Sequence, residues 1–184
     1  MRSPRVYKAS GIVLKRRNIG ETDRLVTIFT KEYGKIVVIA RGIRKITSRR
    51  APHLEIFSHV SLLLHKGKVC DIVTEVTTVH LISSIRKHLP FIQASYYMCE
   101  LIDVLTPEKQ EMEDVFYLLD DAISEIDDGR FTDLPVYLEE FALSLLRKLG
   151  FLPIEKTLRS SQIQPFIEHI VEKRMKTYQF LTTA

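Results

Sequence analysis

Six cations and no acid lie between Lys35 and Arg50: Lys35, Arg41, Arg44, Lys45, Arg49 and Arg50. Lys15, Arg16, Arg17 and Arg24 form a second cluster upstream. Guanidinium and ammonium groups at this density neutralise phosphates and release condensed counterions, so the chemistry on offer is polyanion binding. From Arg41 onward arginine outnumbers lysine four to one, which favours forked contacts to phosphate oxygens. Only Tyr7, Phe29, Tyr33 and Phe57 of the sixteen Phe and Tyr precede residue 80. Alternation puts Phe29 in the core, leaving Tyr33, Tyr7 or Phe57 for base stacking. Backbone phosphates should therefore dominate binding, with weak sequence preference.

Catalytic patterns are missing. The seven glycines form neither a P-loop nor a dinucleotide-binding fingerprint, and there is no zincin motif or nucleophile elbow. His53, His59 and His65, six residues apart, match no metal-ligand spacing and read as loop and strand histidines. Cys70 and Cys99 read as small buried hydrophobes, Cys70 within a strand, and two thiols cannot complete a four-cysteine zinc site. Asp120, Asp121, Asp127 and Asp128 fall along one helix and its end, where a solvated acidic face is expected. A two-metal nuclease needs carboxylates converging from several elements. No catalytic residue, metal or cofactor is expected.

The elements that must carry the cations follow from hydrophobic period. The chain has 184 residues and a formal net charge of +4, but residues 1–75 hold 16 Lys and Arg against 6 Asp and Glu, a net +10. The remainder carries −6. This half-by-half asymmetry suggests a polyanion partner for the first half only. That half also has strand-length β-branched runs at Gly11–Leu14, Leu25–Thr30, Ile36–Ala40, Ile56–Leu64 and Val69–Val79, with Gly20, Gly34 and Gly67 in the connections. Five strands with short turns predict a small closed barrel or sandwich, with Gly11 at a bend or bulge. Arg41–Arg50 reads as a long loop after the third strand. The second half has a helical period: faces through Phe91–Leu105, Val115–Ile126 and Leu138–Leu149, and a short fourth helix beginning near Gln164–Pro165. Met175–Leu181 is ambiguous. The predicted fold is α+β: residues 1–80 a five-stranded nucleic-acid-binding barrel, 81–184 an all-α domain. No apolar run is long enough for a membrane span and no signal segment follows Met1–Arg5, so a cytoplasmic location is expected.

These residues carry a resemblance. Gly11-Ile12-Val13-Leu14, Gly20 to Thr30, Gly34-Lys35, Ala40 to Lys45 and Ser48-Arg49, in this order and spacing, resemble the bacterial recombination mediator RecO. Tyr96 to Leu101 resembles that family's first long helix, Phe141 to Pro153 the helix before its zinc module, and Lys173 to Thr177 its C-terminal basic stretch. The resemblance implies an OB-fold barrel followed by a helical domain. It implies binding to single- and double-stranded DNA, annealing of complementary strands, and help in loading RecA onto DNA coated by single-stranded DNA-binding protein. It also implies partnership with RecR and with the C-terminal tail of single-stranded DNA-binding protein, and no catalysis. The chain departs from the family pattern after Pro153, where no cysteine follows, so no structural zinc module is expected.

On this reading Lys15, Arg16, Arg17, Arg24, Lys35, Arg41, Arg44, Lys45, Arg49 and Arg50 contact DNA. An acidic tail needs an apolar pocket rimmed by cations. In the helical half the cations include Arg147, Lys148, Arg174 and Lys176, the residues expected to meet protein partners. An OB-fold protein acting on RNA in translation or RNA processing is the alternative that composition leaves open.

Overall fold

The computed structural model describes residues 5–80 and 82–178. Leu81, at the expected domain boundary, and residues 179–181 of the ambiguous C-terminal stretch lie outside the described residues. The elements are strands β1 (Val6–Ile19), β2 (Asp23–Thr30), β3 (Gly34–Ala40), β4 (His59–His65) and β5 (Asp71–His80), then helices α1 (Leu89–Leu105), α2 (Glu113–Asp128), α3 (Leu134–Lys148) and α4 (Ser160–Val171).

The five strands close in the order β1-β2-β3-β5-β4, the arrangement of an OB-fold barrel. All pairings are antiparallel except β3 with β5, where Val38 faces Asp71 and Ile39 faces Ile72. Val13, Val26, Ile28, Val38, Leu62, Leu64 and Val73 fill the interior, alternating along their strands as a small barrel requires. The expected fold class therefore stands. The bend in β1 differs from expectation. The register slips at Leu14, between Val13 and Lys15, rather than at Gly11. Gly11 serves close approach instead: a Cβ there would lie 2.6 Å from Ile28 Cγ2 and 2.8 Å from Phe29 O. Cys70 is also not in a strand. It sits just before β5, with Sγ donating to Val37 O at 3.0 Å.

The chain divides into two compact units. One comprises residues 1–81 and 107–116, the other 82–106 and 117–184. The segment after α1 thus belongs with the barrel. Lys109 N donates to Lys35 O at 2.9 Å, and Lys35 bridges to Glu108. Gly34 makes room for this segment. Its φ is +62°, and a Cβ would stand 1.7 Å from Gln110 O.

The helices end as their sequences dictate. Thr106 caps α1 ahead of Pro107. Asp133 caps α3 by accepting from Val136 N at 2.9 Å. Gly150, at φ +76°, closes α3, with its N–H on Arg147 O and that of Phe151 on Leu146 O. Helix α4 begins at Ser160, four residues before the expected start, and Pro165 lies inside it rather than in its first turn. Arg159 N donates there to Gln162 Oε1 at 3.1 Å and Gln162 N to the Arg159 carbonyl at 2.8 Å, which closes the first turn at the earlier start. Asp127 departs from the expected solvated acidic face. It is buried, and its carboxylate accepts the backbone N–H groups of Ser83, Ser84 and Ile85 at 2.7–3.1 Å. Its burial is satisfied by these three donors, so it anchors the start of the helical unit.

Gly34→Ala should lower stability by more than about 1 kcal/mol, because alanine meets both a left-handed φ and a backbone oxygen. A thermal melt tests this, with a fall of at least about 2 °C expected for a chain of this size.

Candidate nucleic-acid interface

The segment between β3 and β4, residues 41–58, has neither helix nor strand, yet it is held at both ends. At its start, Gly42 N donates to Asp23 Oδ1 at 2.8 Å, Arg44 N to Thr22 O at 2.9 Å, and Arg44 Nη1 to Gly20 O at 3.1 Å. These bonds dock the loop on the β1–β2 hairpin. Farther along, Arg50 donates through Nη1 to Val73 O at 2.7 Å and through Nη2 to Arg41 O at 2.8 Å. His53 Nδ1 and Thr78 Oγ1 are 2.8 Å apart. At the close, Phe57 N donates to Val13 O and Ser58 O accepts from Val13 N, beside the β1 bulge. Ile43 and Leu54, each 1% exposed, join the barrel core. The basic loop is thus a fixed cover over one end of the barrel.

That end collects the cations. The β1–β2 register sets Arg16 opposite Val26, Arg17 opposite Leu25 and Asn18 opposite Arg24, and β3 ends with Ala40 opposite Arg24. A shallow groove of about 530 Å³ is lined by Arg24, Arg44, Lys45, Ile46, Ser48 and Glu55, among others. Burial, then the Arg16 and Arg44 guanidiniums, lower the Arg24 pKa against the opposing pull of Glu55. Arg24 Nε also donates to Asn18 Oδ1 at 3.0 Å. The Asp23 carboxyl is held below its ordinary pKa by the Gly42 and Thr22 hydrogen bonds, and then by the charges of Arg41 and Lys45. Burial at Arg24 and hydrogen bonds at Asp23 lead these shifts, and neighbouring cations add to both.

The expected DNA contacts therefore separate by role. Arg17, Arg41, Lys45 and Arg49 are exposed. Lys15 is exposed on the same stretch of β1. Arg44 is exposed although one nitrogen is committed to Gly20. Arg16 is half-buried, paired with Glu55 and reaching Leu54 O at 3.4 Å. Arg50 spends its fork on two backbone carbonyls. Lys35 differs from the others: at 7% exposure it is buried, and its backbone bridges to Glu108, so it presents little surface to a phosphate. Among the aromatics, Phe57 is 5% exposed and so is no stacking platform, whereas Tyr33 is 40% exposed.

In the helical unit, Arg147 Nη2 reaches Lys156 O at 3.3 Å and Thr157 Oγ1 at 3.4 Å, while Lys148, Arg174 and Lys176 are exposed. None of the four lines the apolar cavity of about 440 Å³ built by Tyr97, Leu134, Leu138, Ile163 and Tyr178. The charged group in that cavity is Glu139. Among the described residues no three His, Cys, Asp or Glu side chains cluster as a metal site, and no helix is long and apolar enough to cross a membrane.

Comparison with known proteins adds the family. Residues 1–82 match the model for the N-terminal region of recombination protein O, and residues 92–156 match that for its C-terminal region. The chain belongs to the RecO family. It is 39% identical over 149 residues to the DNA repair protein RecO of Roseiflexus sp. (strain RS-1), covering 81% of this chain and 52% of that one. It is 33% identical over 150 residues to the DNA repair protein RecO of Pelotomaculum thermopropionicum, covering 82% and 57% respectively. The chain thus spans little more than half the length of these curated relatives. The barrel and its pinned basic loop lie within the RecO N-terminal match.

Arg50→Ala should cost about 1–3 kcal/mol, since two carbonyls lose a charged donor, whereas Arg49→Ala should change stability by less than about 0.5 kcal/mol. Paired denaturant melts test the contrast. An NMR titration should find the Asp23 carboxyl below its ordinary pKa. Because the folded value is depressed, its stabilising effect is present above the ordinary carboxylate pKa and fades as pH falls through the folded value.

Proposed function

We propose that this RecO-family chain is a DNA-binding recombination mediator of the cytoplasm that works without catalysing bond formation. It binds single- and double-stranded DNA on the basic end of the barrel, anneals complementary strands, and helps load RecA onto DNA coated by single-stranded DNA-binding protein. RecR and the acidic tail of single-stranded DNA-binding protein are its protein partners, met in part through Arg147, Lys148, Arg174 and Lys176. The observation that carries this reading is the convergence of Arg16, Arg24, Arg44 and Lys45 around the pinned 41–58 loop, with Arg17, Arg41 and Arg49 exposed nearby.

The mechanism follows from the pins. Arg50, Asp23 and the buried Ile43 and Leu54 hold the loop, so the backbone that carries its exposed cations does not have to be ordered when DNA arrives. Less entropy is then lost on binding. Annealing needs two strands held by their phosphates with their bases left unread, which a phosphate-dominated surface provides. Helical-domain binding of an acidic tail must use a surface other than the Glu139 cavity, because a carboxylate there repels the tail.

The test reverses only exposed heads: Arg17→Glu, Arg41→Glu, Lys45→Glu and Arg49→Glu together, read by fluorescence anisotropy on a labelled single strand. Affinity should collapse, and the slope of log affinity against log salt should flatten by about 0.7 for each phosphate no longer neutralised. Unchanged affinity and slope would remove the loop from the interface. An equal-length RNA strand, measured in parallel, should bind no more tightly than DNA. Tighter RNA binding would favour an RNA-directed role.

A further inference from the structure

The basic loop carries an apolar tip. Lys45 N donates to Gly42 O at 3.2 Å and Ser48 N to Lys45 O at 2.9 Å, so two hydrogen-bonded turns follow one another. Ile46 and Thr47 are the central residues of the second turn. Ile46 is fully exposed, and Thr47 is exposed beside it. The first turn is anchored by the bonds from Gly42 N to Asp23 and from Arg44 N to Thr22 O, and by Ile43 in the core. The tip therefore stands on a fixed base.

Neither burial nor turn chemistry accounts for an isoleucine there. Turn centres favour Gly, Pro, Asn, Asp and Ser, and a β-branched apolar side chain gains nothing from the geometry. A lone exposed apolar residue is ordinary on a protein surface, but the setting of this one is particular. Ile46 borders the basic groove together with Arg24, Arg44, Lys45, Ala51 and Pro52. Arg44, Lys45 and Arg49, all exposed, flank it in the chain. Val69 supplies the contrast. It is 99% exposed, yet it borders a different concavity, where Glu32, Asp71 and Glu111 accompany Lys66 and Lys109.

The flanking charges supply the ligand class. A nucleic acid whose phosphates rest on Arg44, Lys45 and Arg49 brings its bases towards a side chain that neither hydrogen-bonds nor stacks as a plane. Such a side chain is buried against a duplex by parting two neighbouring base pairs and entering between them, as the apolar wedges of minor-groove binders do. Parting a step costs stacking energy, which burial of the side chain and phosphate contacts on either side offset. A wedge works only if its carrier does not give way, and here the carrier is an anchored pair of turns.

We propose that Ile46 is a wedge for double-stranded DNA: it enters a base-pair step from the minor groove, unstacks that step and kinks the duplex, while Arg44, Lys45 and Arg49 hold the flanking phosphates. The inference rests on the DNA-binding reading above and adds a local unstacking that phosphate contacts alone do not produce. What the wedge selects is deformability, not base identity. Pyrimidine–purine steps part easily and A-tracts resist, so flexible steps are preferred.

The test uses the full chain and a duplex of about 20 base pairs with a dye at each end and 2-aminopurine in a central TA step. The wild-type chain should raise energy transfer between the dyes, as a kink of about 20–90° requires, and brighten the 2-aminopurine as it leaves the stack. Ile46→Leu, which keeps an apolar wedge, should do the same. Ile46→Ala should do neither and should weaken duplex affinity about 3- to 30-fold, with the salt slope unchanged because no charge is lost. Its affinity for a single strand should equal that of the wild type. Val69→Ala should match the wild type throughout. Replacing the TA step by an A-tract should weaken wild-type binding, and Ile46→Ala should lose that preference. If Ile46→Ala kinks and unstacks the duplex like the wild type while the charge-reversed loop variant does not bind, the wedge is wrong and the DNA reading stands. If the wild-type chain binds a single strand but leaves the duplex straight and stacked, the wedge alone fails. If it binds neither, both fail.

Discussion

The hydrogen bond from Gly42 N to Asp23, with Arg50 bonded to two backbone carbonyls farther along, fixes the course of the basic loop. Arginines and lysines gathered at one end of a small barrel repel one another. Left on a mobile loop, they would spread apart. One carboxylate at the mouth of the β1–β2 hairpin sets where the loop begins. One guanidinium fixes where it turns back, and Ile43 and Leu54 enter the core beneath it. Chain entropy is thereby lost on folding, and the positive field is already assembled when a polyanion approaches.

The same arrangement explains why basic residues of one cluster differ so much in role. Arg16 pairs with Glu55, Arg50 holds backbone, and Lys35 is buried by the returning 107–110 segment. Arg17, Arg41, Lys45 and Arg49 stay at the surface. Asp23 and Glu55 are not defects in the positive surface. Each offsets the repulsion that its neighbours create, and without them the cations could not be packed so closely.

Much of the fold was legible in the sequence because its signals are local. β-Branched runs marked five strands, a 3.6-residue period marked α1 to α3, and Gly34 and Gly150 marked chain reversals at left-handed positions. Two of the misreadings depend on residues far away along the chain, and a third on competing local signals. Lys35 is covered by a segment about seventy residues later. Asp127 is buried because three N–H groups more than forty residues earlier need an acceptor. Pro165 suggested a helix start, but the Arg159–Gln162 hydrogen bonds set that start earlier. The basic loop was visible as a charge run, whereas the division of labour between Arg49 and Arg50 was not. Adjacent arginines look alike until Val73 and Arg41 carbonyls are seen to face one of them.

Whether added DNA perturbs the 41–50 loop tests the proposed role of the pinned basic surface. The most direct measurement is backbone amide chemical-shift mapping of the labelled chain titrated with a short single-stranded DNA. A pinned basic surface predicts that the largest perturbations fall in residues 15–24 and 41–50. Perturbations confined to the helical unit, with the 41–50 amides unmoved, would contradict it.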